Sequence, residues 1–168
     1  MLPMIERLVS LRVADLMSTP VVSLRIELSL EQAAAEFNEK GISCAPVVDA
    51  EGKCVGILSA SDFVRVFGAG CSREHLVEGR GGWRIEPCSE SIAAVMTSAV
   101  QTIGREESLA TAARMLCAQH VHHLVVIDAQ GRPQGMLSTL DLSSALLNVV
   151  EEWRADSARP LGRSAAAQ

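Results

Sequence analysis

The chain has 168 residues, 48% of them apolar, and its 15 basic against 20 acidic side chains leave a formal net charge of -5. That length suits one compact domain or two small ones with a real core, while the lack of a basic stripe and an aromatic content of 3% argue against nucleic acid as a direct partner. Five cysteines without close pair spacing suit a reducing cytosol, and nowhere do 18 apolar residues run together as a membrane span requires.

Residues 1–12 carry Glu6 and Arg7 inside the apolar pattern Leu2, Ile5, Leu8, Val9, which reads as a helical segment and not as a signal peptide. A cytoplasmic location is expected. Val21 to Leu24, a short β-branched run after Pro20, predicts a strand. Ser29 then precedes the helical stripe Leu30, Ala33, Ala34, Phe37, with Gln32 placed to complete a capping box and Gly41 to end the helix. Cys44 to Asp49 and Cys54 to Leu58, joined by a turn containing Gly52, predict a β-hairpin. Ser59 opens a second helix with Asp62 as its capping-box partner. The unit is β-α-β-β-α.

Residues 68–89 are rich in glycine and charge without a sustained period, so they read as a linker or insertion. Beyond them the unit returns. Val100 to Ile103 is the strand, Ser108 caps the stripe Leu109, Ala112, Ala113, Leu116, and Leu124 to Asp128 pairs with Gly135 to Leu137. Ser138 and Asp141 open a last helix whose stripe Leu142, Ala145, Leu146, Val149, Val150, Trp153 runs further than its counterpart. The tail, residues 156–168, is expected to fray.

A shift of 79 positions lays residues 15–62 on 94–141 with 15 identities, where roughly three or four would match by accident. The chain is therefore two copies of one unit, residues 13–67 and 90–155, joined by 68–89. Function belongs in both copies or between them.

The patterns Asp15-Leu-Met-Ser-Thr-Pro-Val-Val, Gly41-Ile-Ser-Cys-Ala-Pro-Val-Val-Asp49 and Val55-Gly-Ile-Leu-Ser-Ala-Ser-Asp62 resemble the signature of the cystathionine-β-synthase (CBS) domain. The second copy resembles it in Ala94-Val-Met-Thr-Ser-Ala-Val, His122-His-Leu-Val-Val-Ile-Asp128 and Gln134-Gly-Met-Leu-Ser-Thr-Leu-Asp141. The resemblance implies an α/β (α+β) fold in which two CBS repeats pack around a pseudo-twofold axis as a Bateman module. It also implies two composite clefts for adenine nucleotides or related adenosyl ligands, and regulation of another protein in place of catalysis.

The residues suit such a site. A strand turning into a helix at Gly56-x-x-Ser59 or Gly135-x-x-Ser138 offers backbone amides and a hydroxyl to phosphate. Asp62 or Asp141, three residues in, is placed to accept from ribose hydroxyls as acidic residues do in dinucleotide folds. By the resemblance, the favoured cleft takes Ser138, Asp141, Met136, His122 and His123 from the second copy and Ser18, Val21, Ile42, Ser43 and Cys44 from the first. The second cleft takes Ser59, Asp62 and Ile57, with Ser43 and Cys44, against Thr97, Val100, Val121 and His122. His123 stands where several nucleotide-binding relatives carry a basic residue against phosphate, and imidazole is mostly neutral at pH 7 unless a phosphate raises its pKa.

Each sharp reading has a plainer companion. Ser-x-x-Asp is also an ordinary capping box, and the two roles are compatible. His122 and His123 are consecutive at a strand start and point to opposite faces, and Cys71, His75 and Cys88 lack zinc-motif spacing, so no metal site is expected. No Walker loop, nucleophile elbow or paired carboxylates with a base stand in the chain, so no enzyme is expected. The expected protein is a regulatory module that senses AMP, ADP, ATP or S-adenosylmethionine, needs no obligatory cofactor, pairs as a homodimer away from membranes and acts on a protein in trans. The alternative is a ligand-independent dimerisation or interaction module with vestigial clefts.

Overall fold

Each copy builds a three-stranded sheet in the computed structural model, which describes residues 2–66, 76–79, 82–85 and 91–158. In chain order the elements are α1 (Leu2–Ser10), a 3-10 turn at Val13–Asp15, β1 (Leu24–Arg25), α2 (Leu30–Lys40), β2 (Cys44–Val48), β3 (Cys54–Ser59) and α3 (Ala60–Val66). There follow β4 (Leu76–Gly79), β5 (Gly82–Ile85), α4 (Ile92–Val95), β6 (Thr102–Gly104), α5 (Leu109–Gln119), β7 (His123–Ile127), β8 (Pro133–Ser138) and α6 (Thr139–Ala158). In both sheets the first strand runs parallel to the middle one and the third antiparallel, with Leu24 opposite Val47 and Ile103 opposite Val126.

Local chemistry sets the boundaries. Ser29 Oγ accepts the Gln32 N–H at 3.2 Å while Gln32 Oε1 accepts the Ser29 N–H at 3.0 Å, a complete capping box. Gly41 ends α2 at φ 62°, and His120 ends α5 in the same left-handed conformation at φ 52°. In the hairpin turns Asp49 Oδ1 accepts from the backbone of Glu51 and Lys53, and Asp128 Oδ1 accepts from Gln130 and Arg132. The two turns meet where Cys54 donates its N–H to the Gly131 carbonyl at 2.9 Å. At the equivalent position Pro133 has no N–H to return the bond.

The two cores are exchanged at their entrances. Ile92 and Val95, which open the second copy, are buried with Leu24, Leu30, Phe37, Val47 and Leu58 of the first. Val13, which opens the first, is buried with Ile103, Leu116, Leu124, Val126 and Leu137 of the second. Backbone bonds fix the exchange, from the Val13 N–H to Glu107 O at 3.0 Å and from the Ile92 N–H to Leu28 O at 3.1 Å. A fully buried Leu or Ile contributes roughly 1.5–3 kcal/mol relative to exposure, so neither core is complete without the other copy's entrance.

Several expectations are corrected. The strands expected over Val21–Leu24 and Val100–Ile103 pair only at Leu24–Arg25 and Thr102–Gly104, because the chain before each crosses to the opposite copy. The segment read as a linker or insertion contains an antiparallel hairpin, β4 with β5, from Leu76–Ile85 to Gly79–Gly82. Cys71, His75, Cys88 and the tail from Arg159 lie outside the described residues. In α6, Ala145 and Val149 are buried, but Leu146 and Trp153 of the expected stripe are exposed. The N-terminal helix lies against α6, tied by the exposed Arg7–Glu152 ion pair at 3.0 Å.

Candidate functional site

The crossing segments create two clefts. Ser18 pairs with Met136 on β8, and Thr97, 79 residues later, pairs with Ile57 on β3. At the foot of each cleft a strand passes directly into a helix, at Ser138–Thr139 and at Ser59–Ala60. Close approach is possible because Gly135 and Gly56 have no side chain. A Cβ on Gly135 would stand 2.9 Å from Met17 Sδ and 3.0 Å from Ser18 O, and one on Gly56 would run into the Met96 side chain.

The paired Ser and Asp residues are arranged alike but not identically. Asp141 Oδ2 accepts the Ser138 N–H at 2.7 Å and the Ser138 hydroxyl at 2.6 Å, while the Asp141 N–H donates back to Ser138 Oγ at 3.2 Å. Asp62 Oδ2 accepts the Ser59 N–H at 2.8 Å and hydroxyl at 2.7 Å. Only the carboxylate half of the expected capping box forms at Ser59, whose hydroxyl also meets Ser61 Oγ at 2.7 Å. Asp62 Oδ1 is paired with Arg65 Nη2 at 2.9 Å, whereas position 144 in the second copy is serine.

The Asp141 cleft encloses about 330 Å³ and the Asp62 cleft about 400 Å³, within the size range of small-molecule sites. Ser18, Val21, Ile42, Ser43, Cys44, His123, Met136, Ser138 and Asp141 line the first. Thr97, Val121, His122, Ile57, Ser59, Asp62, Ser43 and Cys44 line the second. Two placements differ. His122 lines the Asp62 cleft only, and His123 reaches both clefts. Val100 does not line the Asp62 cleft; Ala99 and Gln101 on either side of it do.

Pro20, Val22, Gly41 and Leu140 also line the Asp141 cleft, and Ala60, Ser61, Ala99, Gln101 and His123 the other. The signal that finds most of them is the repeat register, since Pro20/Ala99, Val22/Gln101 and Ser61/Leu140 are all 79 residues apart. The exchange of Leu140 and Val22 for Ser61 and Gln101 makes the Asp141 cleft the more apolar at those walls.

No lysine or arginine lines either cleft among the described residues. Burial pushes the Cys44 thiol up to about 12, with the Asp62 carboxylate adding to the effect. Burial also holds His123 below its ordinary 6.5, reinforced by His122 and opposed by Asp141. The clefts thus offer carboxylate acceptors, hydroxyls, neutral imidazole and apolar walls. Among the described residues no group of three or more His, Cys, Asp or Glu converges as a metal site would require.

Residues 13–69 and 92–148 each match the CBS domain. The chain belongs to the CBS domain family. As a tandem CBS pair it is similar, at 26% identity over 83% of its length and 93% of the relative, to a CBS domain-containing protein of Dictyostelium discoideum. A stretch of 61 residues is 40% identical to the A-adding tRNA nucleotidyltransferase of Aquifex aeolicus, of which the chain spans 7%, and it spans 24% of the homoserine O-acetyltransferase of Methanohalobium evestigatum. Among solved structures the pair is similar to the CBS domain pair of protein MJ0100 in complex with 5′-methylthioadenosine and S-adenosyl-L-methionine. There the TM-score is 0.68 at 22% identity, covering 82% of this chain and 97% of that one. It also resembles PAE2072 of Pyrobaculum aerophilum complexed with AMP, with a TM-score of 0.66 at 19% identity, covering 84% and 99%. The fold is that of a CBS domain pair, and among the described residues no helix is long and apolar enough to cross a membrane.

Proposed function

We propose that this CBS pair is a non-catalytic regulatory module that binds an adenosyl ligand between its copies and acts on a partner protein in the cytoplasm. The observation that carries the reading is Asp141. Its carboxylate stands at a strand-to-helix junction in a cleft roofed by the other copy, with Oδ2 held by Ser138. A carboxylate so held is placed to accept from ribose hydroxyls. Met136, Val21 and Ile42 supply apolar contact for a purine, and Ser18, Ser43 and His123 supply polar contact for the 5′ substituent. The ligands named for the CBS pairs of similar fold, AMP, 5′-methylthioadenosine and S-adenosyl-L-methionine, share the adenosyl group that this reading requires.

Thermal-shift titration with AMP, ADP, ATP and S-adenosylmethionine tests the assignment. A saturable rise in Tm with at least one of them, lost in Asp141→Ala, is the expected result. No stabilisation by any adenosyl ligand contradicts the proposal.

A second reading, an interaction module, is favoured by Ile5 and Val9 on α1 and Leu146, Leu147 and Trp153 on α6, all exposed. Self-association into a homodimer would cover these residues and is compatible with ligand sensing. Light scattering without ligand measures it, and a monomer at micromolar concentration removes the dimer from the proposal.

A further inference from the structure

We infer that Arg65 closes the Asp62 cleft to ribose, so that the chain takes one adenosyl ligand, at Asp141, and not two. The inference deepens the proposed adenosyl binding and rests on it. A carboxylate oxygen accepts about two hydrogen bonds, and a vicinal diol brings two donors. Asp141 Oδ2 is filled by the Ser138 N–H and hydroxyl, but its Oδ1 accepts no hydrogen bond among the described residues and has room for both ribose hydroxyls. Asp62 Oδ2 is filled in the same way by Ser59, and its Oδ1 already accepts from Arg65 Nη2 at 2.9 Å. One acceptor site is left where two are needed.

Three further observations make this a built difference. Asp62 is only 8% exposed, whereas Asp141 is partly open. Arg65 Nη2 also donates to the Val95 carbonyl at 2.7 Å, so the same guanidinium ties α3 to the segment that carries Thr97 into the cleft. The residue 79 positions on is Ser144, whose side chain is exposed and too short to make either contact. A ribose entering the Asp62 cleft must therefore displace an ion pair and loosen the crossing segment, while one entering the Asp141 cleft displaces nothing.

Isothermal titration of the full chain with AMP and with 5′-methylthioadenosine, across wild type, Asp141→Ala, Arg65→Ser and the double variant, tests this. Wild type should bind one equivalent, at least 10-fold more weakly after Asp141→Ala. Arg65→Ser should bind two equivalents, and the double variant should keep one, now at Asp62. Arg65→Gln, which removes the cation but retains a donor for Val95 O, serves should Arg65→Ser melt early. Two equivalents in wild type, or a folded double variant that binds neither probe while wild type binds, overturns the role of Arg65 and leaves the adenosyl reading standing. Failure of both probes to bind wild type and Arg65→Ser overturns the adenosyl reading and this inference together.

Discussion

Ser18 and Met136 exchange both of their backbone hydrogen bonds, from Ser18 N–H to Met136 O at 2.8 Å and from Met136 N–H to Ser18 O at 3.2 Å. A residue that precedes the first sheet is thereby locked to the last strand of the second. The Asp141 cleft lies under this two-residue bridge, so its width depends on contact between copies and on no single copy's packing.

Gly135 is where that contact is tightest. In Gly135→Ala the new methyl meets Met17 Sδ, which is able to turn aside, but also the Ser18 carbonyl, which is held by the bridge itself. Overpacking of this kind costs about 1–3 kcal/mol. For Gly56→Ala the nearest atoms all belong to the flexible Met96 side chain, and the change should cost less. Chemical denaturation of the two variants measures the difference, and equal midpoints would show that the bridge yields without strain. Adenosyl binding at Asp141 should weaken in Gly135→Ala and persist in Gly56→Ala.

Ile92 belongs to the second copy in sequence yet is fully buried in the core of the first. Ile92→Ala should destabilise by about 2–5 kcal/mol. Hydrogen exchange should accelerate first in Cys44–Val48 and Cys54–Ser59, not in Leu109–Gln119. Faster exchange confined to the second copy would contradict the exchanged cores.

Much of this was legible because its causes are local. The Ser29–Gln32 box, the αL turn at Gly41 and the Asp49 and Asp128 turns each depend on residues within four positions, so residue type and spacing determine them. The family resemblance supplied the composite clefts. The exchange of Val13 and Ile92 between cores was not legible, since periodicity reports that a residue is buried and not beside what. The β4–β5 hairpin was not legible because a stretch rich in glycine and charge reads as linker. Arg65 escaped notice for a different reason: spacing allows an i,i+3 pair, but only coordinates show it occupying the one oxygen that Ser59 leaves open.

Cys44 lines both clefts, but burial and the Asp62 carboxylate keep it as a thiol at neutral pH. Since the thiolate is the nucleophile, iodoacetamide at pH 8 should label the exposed Cys117 more than about 100-fold faster. Peptide mass spectrometry over a time course reads the two rates. Comparable labelling would mean that the Cys44 environment is wetter than its packing implies.

His123 ties pH to both stability and ligand choice. Burial holds its folded pKa below 6.5, so as pH falls the unfolded chain takes up this proton before the folded one does. The contribution of neutral, half-buried His123 is whole above about 6.5 and is lost as pH falls through that value toward the folded pKa. Between pH 7.5 and 5.5 the Tm of wild type should therefore drop more than that of His123→Gln. A ligand phosphate beside the imidazole reverses the sign, because it favours the imidazolium and raises the pKa in the complex. AMP should bind more tightly at pH 6 than at pH 7.5, with proton uptake seen as buffer-dependent heat in titration calorimetry. Uncharged 5′-methylthioadenosine should show neither effect. Equal pH dependence for both ligands would place the phosphate away from His123.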